Sequence, residues 1–164
     1  DVALEGFWRA YRQNPHMRML MMGGCSQERK VKQFVKEKGL VEHILFCGYK
    51  ENEILAKYYC AADVYLSASH IDGSSVALME AMACGCVPLV SDIPSNLEWV
   101  QNGQEGWIFR DGSPESLAKR ILEISHSRDT LREHGKLAYQ KARQDANWKT
   151  NFAKLLETYR KMTA

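Results

Sequence analysis

Neither sign of charge dominates this sequence: 22 Lys and Arg face 20 Asp and Glu, for a formal net charge of +2. So weak a field gives nothing to draw in nucleic acid or an anionic membrane, and any anion site must be local. No stretch approaches the roughly 18 apolar residues that a membrane-spanning helix needs. At 45% hydrophobic and 26% charged, the composition is that of a soluble globular domain. Asp1 to Glu5 lack both an initiator Met and the basic-then-apolar pattern of a signal peptide, so the sequence is expected to be a fragment of a larger protein. Internal repeats, low-complexity tracts and a dividing linker are also missing, and 164 residues fit one domain over 1–164.

Metal-binding patterns are lacking too. The five cysteines, Cys25, Cys47, Cys60, Cys84 and Cys86, are odd in number and sit in apolar or glycine-flanked segments. They are expected to be buried thiols in a reducing compartment, which places the protein in the cytoplasm. Cys84 and Cys86 are spaced too closely for a Cys-x-x-Cys pair, and no His lies at zinc-ligand spacing around them. With no Asp-x-Asp pair either, neither a metal nor a cofactor is expected.

What the sequence does contain is an alternation. Short apolar runs at Met19 to Met22, Ile44 to Phe46, Val64 to Leu66 and Val87 to Val90 read as buried parallel strands. Between them, Val31, Phe34 and Val35 form one helical stripe, Ile54, Leu55, Tyr58 and Tyr59 a second, and Leu78, Ala81 and Met82 a third. A helix is expected over Leu4 to Gln13. After a short apolar piece, Gly106 to Phe109, helices are expected from Pro114 to about Ser125, from Thr130 to about Gln144 and from Trp148 to Met162, with Ser113 capping the first. The order is α/β, a Rossmann-like parallel sheet with helices on both faces, which puts ligands in the loops at the carboxyl ends of the strands. Those loops are Gly23 to Ser26, Cys47 to Lys50, Ser67 to Ser75 and Ser91 to Asn96.

The most informative loop leads into the third helix. Gly73 lets backbone approach a ligand, Ser74 or Ser75 can cap the helix, and the free amides of Val76 and Ala77 together with the helix dipole favour a diphosphate. A capped helix with nothing bound is the plain alternative. Farther on, Ser95 or Asn96 is expected to cap a short helix containing Glu98 and Trp99. His70 reads as an exposed loop side chain rather than a general base.

Asp72, a glycine-containing loop and then Glu80-Ala81-Met82-Ala83-x-Gly85 resemble the acid-x7-Glu signature of the family 4 retaining glycosyltransferases, which have the GT-B architecture. Gly23-Gly24, Phe46 to Gly48, Tyr59 to Val64, Val87 to Ser91 and Gly106 to Phe109 follow in the order that this family shows, so the resemblance covers nearly the whole chain. It implies the C-terminal, nucleotide-sugar-binding half of the enzyme, without the N-terminal acceptor domain and the first strand of this domain. It also implies that Glu80 accepts from the ribose hydroxyls, that the Gly73, Ser74, Ser75, Val76 and Ala77 backbone holds the diphosphate, and that Asp72 faces the donor sugar. Gly23 and Gly24 would approach the phosphates, and Gly48 and Tyr49 the base.

Asp72 stands where the family commonly has Glu, Ser75 where it has a second Gly, and Pro94-Ser95 where it has glycines. The implied reaction moves a hexose from a nucleotide diphosphate-sugar, with retention, to a glycan or lipid-linked acceptor bound by the other domain. Polysaccharide or lipopolysaccharide biosynthesis in the cytoplasm or at the inner face of the membrane, with peripheral membrane contact through that other domain, would follow. The family's diphosphate-clamping Arg and Lys precede this stretch, which implies weak donor binding and no activity by this domain alone. The alternative reading is a non-catalytic nucleotide-sugar-binding or regulatory module, with Asp72 as the mark of a degenerate site.

Overall fold

The computed structural model describes residues 2–24 and 27–163, so Cys25 and Ser26 of the first glycine loop lie outside the described residues. Strands β1 (Met19–Met22) and β2 (Ile44–Gly48) pair in parallel, with Met19 opposite Ile44 and Met21 opposite Phe46. Strands β3 (Val64–Ser67), β4 (Val87–Ser91) and β5 (Trp107–Phe109) form a second parallel sheet in that order, with Leu66 opposite Leu89 and Leu89 opposite Trp107. The apolar piece after the fourth run is therefore a fifth strand. Three residues are too few to show a period in the sequence, and pairing with β4 is what makes them a strand.

The alternation of side chains along β4 divides the core. Val90 faces helices α4 (Val76–Ala83) and α7 (Arg128–Asp145), where it packs with Leu78, Met82, Ala138 and Ala142. Val87 and Leu89 point the other way, into a cluster with Trp107, Phe109, Leu117 and Ile124 on α6 (Pro114–His126). Pro114 opens α6, and the Ser113 hydroxyl accepts the Ser116 amide hydrogen, as its position predicts. Helix α1 (Val2–Tyr11) lies on α6 and sends Leu4 and Phe7 into a third cluster with Val35 of α2 (Glu28–Glu37), Leu40 and Ile44. Ile121 of α6 packs against both the second and the third cluster, and so spans the two sheets.

Two expectations of burial are corrected. Strands β1 and β2 are not enclosed: Leu20 is 42% and Leu45 60% exposed, in a sheet that has two strands among the described residues. Helix α3 (Asn52–Ala61) follows the predicted stripe but has no fully buried residue. The cysteines depart as well. Cys86 is buried, Cys47 and Cys84 are half-buried, Cys60 is exposed, and Cys25 is not among the described residues. Helix α8 (Trp148–Thr163) is exposed along residues 148–162, with Trp148 stacked on Phe152 at 5.5 Å between ring centroids.

Candidate functional site

Strand β3 ends at Ser67, and residues 68–75 carry the chain to the start of α4. Ser75 is extended, and its hydroxyl accepts the Leu78 amide hydrogen at 3.2 Å, so Ser75 rather than Ser74 is the cap. Val76 and Ala77 hold the first two amides of α4, which have no carbonyl to bond within the helix. Val76 is 61% exposed, Gly73 and Ser74 are exposed, and a Cβ on Gly73 would meet nothing within 4 Å. This is an open shelf of donors at the positive end of a helix, suited to an anion.

Two half-buried carboxylates flank the shelf, Asp72 on the loop and Glu80 one turn into α4. Behind them stand two tyrosines that the sequence marked only as core: Tyr59 of α3 and Tyr65 of β3, edge to face at 6.0 Å. Burial pushes Tyr59 up to about 12, and the nearby Tyr65 and Glu80 add to the shift. Burial also raises Tyr65; the hydroxyls of Ser75 and Ser67 oppose that, and Asp72 reinforces it. Both phenols therefore stay neutral near neutral pH.

The loop is tied to its neighbours at the carboxyl ends of β4 and β5. The Ser91 hydroxyl donates to the Ser69 carbonyl at 2.5 Å, and the Asn96 amide donates to the Ser91 carbonyl at 3.0 Å and to its hydroxyl at 3.3 Å. Ser91 and Asn96 are both buried. Helix α5 (Pro94–Leu97) is instead capped by Ile93 with Pro94 in its first turn, so neither Ser95 nor Asn96 acts as the cap. Asn96 turns inward because Ser91 offers it two acceptors. His70 is exposed as expected, yet it is not alone: its Nδ1 lies 2.7 Å from Asp111 Oδ1. The Asp111 amide in turn donates to Asp92 Oδ1 at 2.7 Å. Nothing local in the sequence announces the contacts of Ser91 with Ser69, His70 with Asp111 and Asp111 with Asp92, which join residues 19 to 41 positions apart.

The remaining predicted residues gather at the other sheet. Gly23 and Gly48 both take positive φ, 85° and 66°, and the Gly23 amide donates to the Gly48 carbonyl at 2.8 Å. Gly24 is exposed, and Tyr49 is 82% exposed. The structure thus joins Gly23 to Gly48 at the carboxyl end of one parallel sheet and sets the Asp72 loop and the start of α4 at the carboxyl end of the other. Grooves of about 630 and 510 Å³ lie elsewhere, between α1 and α6 and along α7. Among the described residues, no group of three or more His, Cys, Asp or Glu side chains is arranged to hold a metal ion, and no helix is long and apolar enough to cross a membrane.

The model of the family "Glycosyl transferases group 1" matches residues 1–141. The chain belongs to that family. It is 32% identical to the putative colanic acid biosynthesis glycosyltransferase WcaL of Salmonella typhimurium, over 96% of this chain and 41% of that protein. It therefore spans about two-fifths of the length of that curated relative. Among solved structures, sucrose-phosphate synthase from Thermosynechococcus elongatus is 25% identical, with a TM-score of 0.88 over 98% of this chain and 42% of the other. HepE from Anabaena, solved in complex with UDP-glucose, superposes with a TM-score of 0.86 at 18% identity, over 98% and 44% of the two chains. The fold is that of the C-terminal half of a GT-B glycosyltransferase.

Proposed function

We propose that this chain binds the donor, a nucleoside diphosphate sugar, for a retaining hexosyltransferase that builds a polysaccharide or other glycan. In this reading Glu80 accepts from the ribose hydroxyls, the amides of Val76 and Ala77 hold the diphosphate, and Asp72 faces the sugar. Gly23, Gly24, Gly48 and Tyr49 border the phosphates and base. The observation that carries it is the N-terminus of α4, where Val76 is 61% exposed and the amides of Val76 and Ala77 have no helical partner, with the half-buried Asp72 before it and the half-buried Glu80 one turn on. An ionised carboxylate is acceptor-only, which suits paired hydroxyls. The helix terminus offers fixed donors to a leaving diphosphate, the group on which charge develops as the glycosidic bond breaks. UDP-glucose in HepE and the glycan-building role in the name of WcaL favour this chemistry.

The acceptor, a glycan or lipid-linked sugar, is held by an N-terminal domain, at the cytoplasmic side of the membrane and without a metal ion. A further strand of the same polypeptide joins the two sheets, whose clusters Ile121 already links. The exposed apolar side chains of α8, among them Phe152, Leu155 and Tyr159, pack against the N-terminal domain.

The test is transfer and donor hydrolysis by the full-length protein with a panel of nucleotide sugars, repeated with Glu80→Ala and Asp72→Ala. Loss in both variants is expected. Unchanged turnover in both would remove the site assignment, and a wild type that binds donors without turnover would make the chain a binding module.

A further inference from the structure

The loop that carries Asp72 is held from one side only by short-range features, namely its strand end and its helix cap. From the other side it is held by contacts that reach across two neighbouring strands. One tie is buried: Asn96 fixes Ser91, and the Ser91 hydroxyl donates to the Ser69 carbonyl. The second is on the surface, where His70 meets Asp111 at 2.7 Å and the Asp111 amide is itself anchored on Asp92 at 2.7 Å. An ionised carboxylate can only accept, so the His70 ring carries its hydrogen on Nδ1. Ser69 and His70 are adjacent, and Asp72 is two residues farther on. Fixing two consecutive residues leaves Asp72 only a few backbone torsions of freedom relative to β4 and β5.

We propose that His70 and Asp111 are positioning residues that set where Asp72 stands relative to the donor sugar, with Ser91 and Asn96 as the buried half of the same brace. The proposal rests on the donor reading above. It separates two parts of the site. Glu80 and the first amides of α4 belong to the helix and do not depend on the brace, whereas Asp72 belongs to the loop and does. Removing the brace therefore weakens recognition of the sugar and spares recognition of the nucleotide. One exposed hydrogen bond is a small effect, and the expected change is about three- to five-fold.

The test uses the full-length protein and the variants His70→Ala, Asp111→Ala, the double variant and His70→Asn. In His70→Asn the amide Nδ2 stands close to where the imidazole Nδ1 was and can still donate. Three quantities are read: the KM for the best nucleotide sugar, the Kd for the matching nucleoside diphosphate without sugar, and the amide NMR signals of Asp72 and Gly73. His70→Ala is expected to raise KM about three- to five-fold, to leave the nucleoside diphosphate Kd unchanged and to shift both amide signals. Asp111→Ala should match it, the double variant should be no worse than either single one, and His70→Asn should restore the wild-type values.

Equal weakening of nucleotide and donor, additive single effects, or unmoved Asp72 and Gly73 signals would each overturn the positioning role alone. A wild type that binds no nucleoside diphosphate overturns the donor reading and the positioning role with it, so the two failures are distinct.

Discussion

Gly135 of α7 lies so close to Gly85 that a Cβ built on Gly135 would stand 2.4 Å from the Gly85 carbonyl oxygen. Gly85 itself has a φ of +75° and ends the turn after α4. The backbone crossing of these two glycines thus fixes the C-terminal end of the helix whose N-terminus forms the candidate site. Backbone rather than a flexible side chain is the obstacle, so the neighbour cannot swing aside.

Gly135→Ala is accordingly expected to cost about 1–3 kcal/mol of stability by overpacking. Denaturant unfolding measures this, with the exposed neighbour Lys136→Ala as the control that changes little.

Val76 offers a cleaner test of the helix amides. It occupies the first position of α4, where proline is well tolerated, and Ser75 before it is extended (φ −75°, ψ 98°), as a residue preceding proline must be. Val76→Pro should keep stability within about 1 kcal/mol while deleting one donor. Loss of a hydrogen bond to a charged group then weakens nucleoside diphosphate binding by roughly ten- to a hundred-fold. Calorimetric titration with UDP and other nucleoside diphosphates reads the affinity, and thermal unfolding reads the fold.

Ser75 separates capping from anion binding in the opposite direction. Ser75→Ala removes the acceptor of the Leu78 amide and should cost about 1 kcal/mol. Ser75→Asp keeps the cap and the stability but sets a carboxylate beside the proposed diphosphate. The expected outcome is a folded protein with nucleotide binding lost, measured by unfolding and titration on the same samples.

Alkaline pH should destabilise the fold through two acids that their surroundings hold protonated, the buried Cys86 and the half-buried Tyr59. Burial first, and then the Cys84 thiol beside it, push Cys86 from 9.0 up to about 12; burial pushes Tyr59 from 10.0 up to about 12. In both, the unfolded chain loses its proton at a lower pH than the folded one. Their contribution is thus complete below pH 9 and is lost as pH rises toward 12. The melting temperature should fall across that window, and Cys86→Ala should fall less steeply. A parallel course for the two proteins would assign the alkaline loss to other groups.

Much of this was legible in the residues, because the information is local. Four apolar runs too short for helices became the four parallel strands β1 to β4, and the Ser113-Pro114 pair became a helix start. Ser75 capping Leu78 is equally local, three residues apart along the chain. Where reading by segment failed, the deciding partner was distant. Trp107 to Phe109 became a strand by pairing with Leu89 to Ser91. Asn96, a cap by type, turned inward to Ser91 only five residues back, because Ser91 is itself buried at the end of β4 and held to Ser69 on the neighbouring strand's loop. The cysteines looked alike in their flanking residues, yet only packing around each could leave Cys60 exposed and Cys86 buried.

The sequence by itself determined the α/β alternation, the glycine loops at the strand ends, and the acidic pair Asp72 and Glu80 on either side of a helix start. Strand spacing, cap chemistry and helical period act over a few residues, and so they can be read in order along the chain. Tertiary structure alone decided how the loops meet: Gly23 against Gly48, His70 against Asp111, and Ser69 held by Ser91. Each of those contacts joins residues that no periodicity links, because the strands of a parallel sheet are separated in sequence by at least one whole crossover connection.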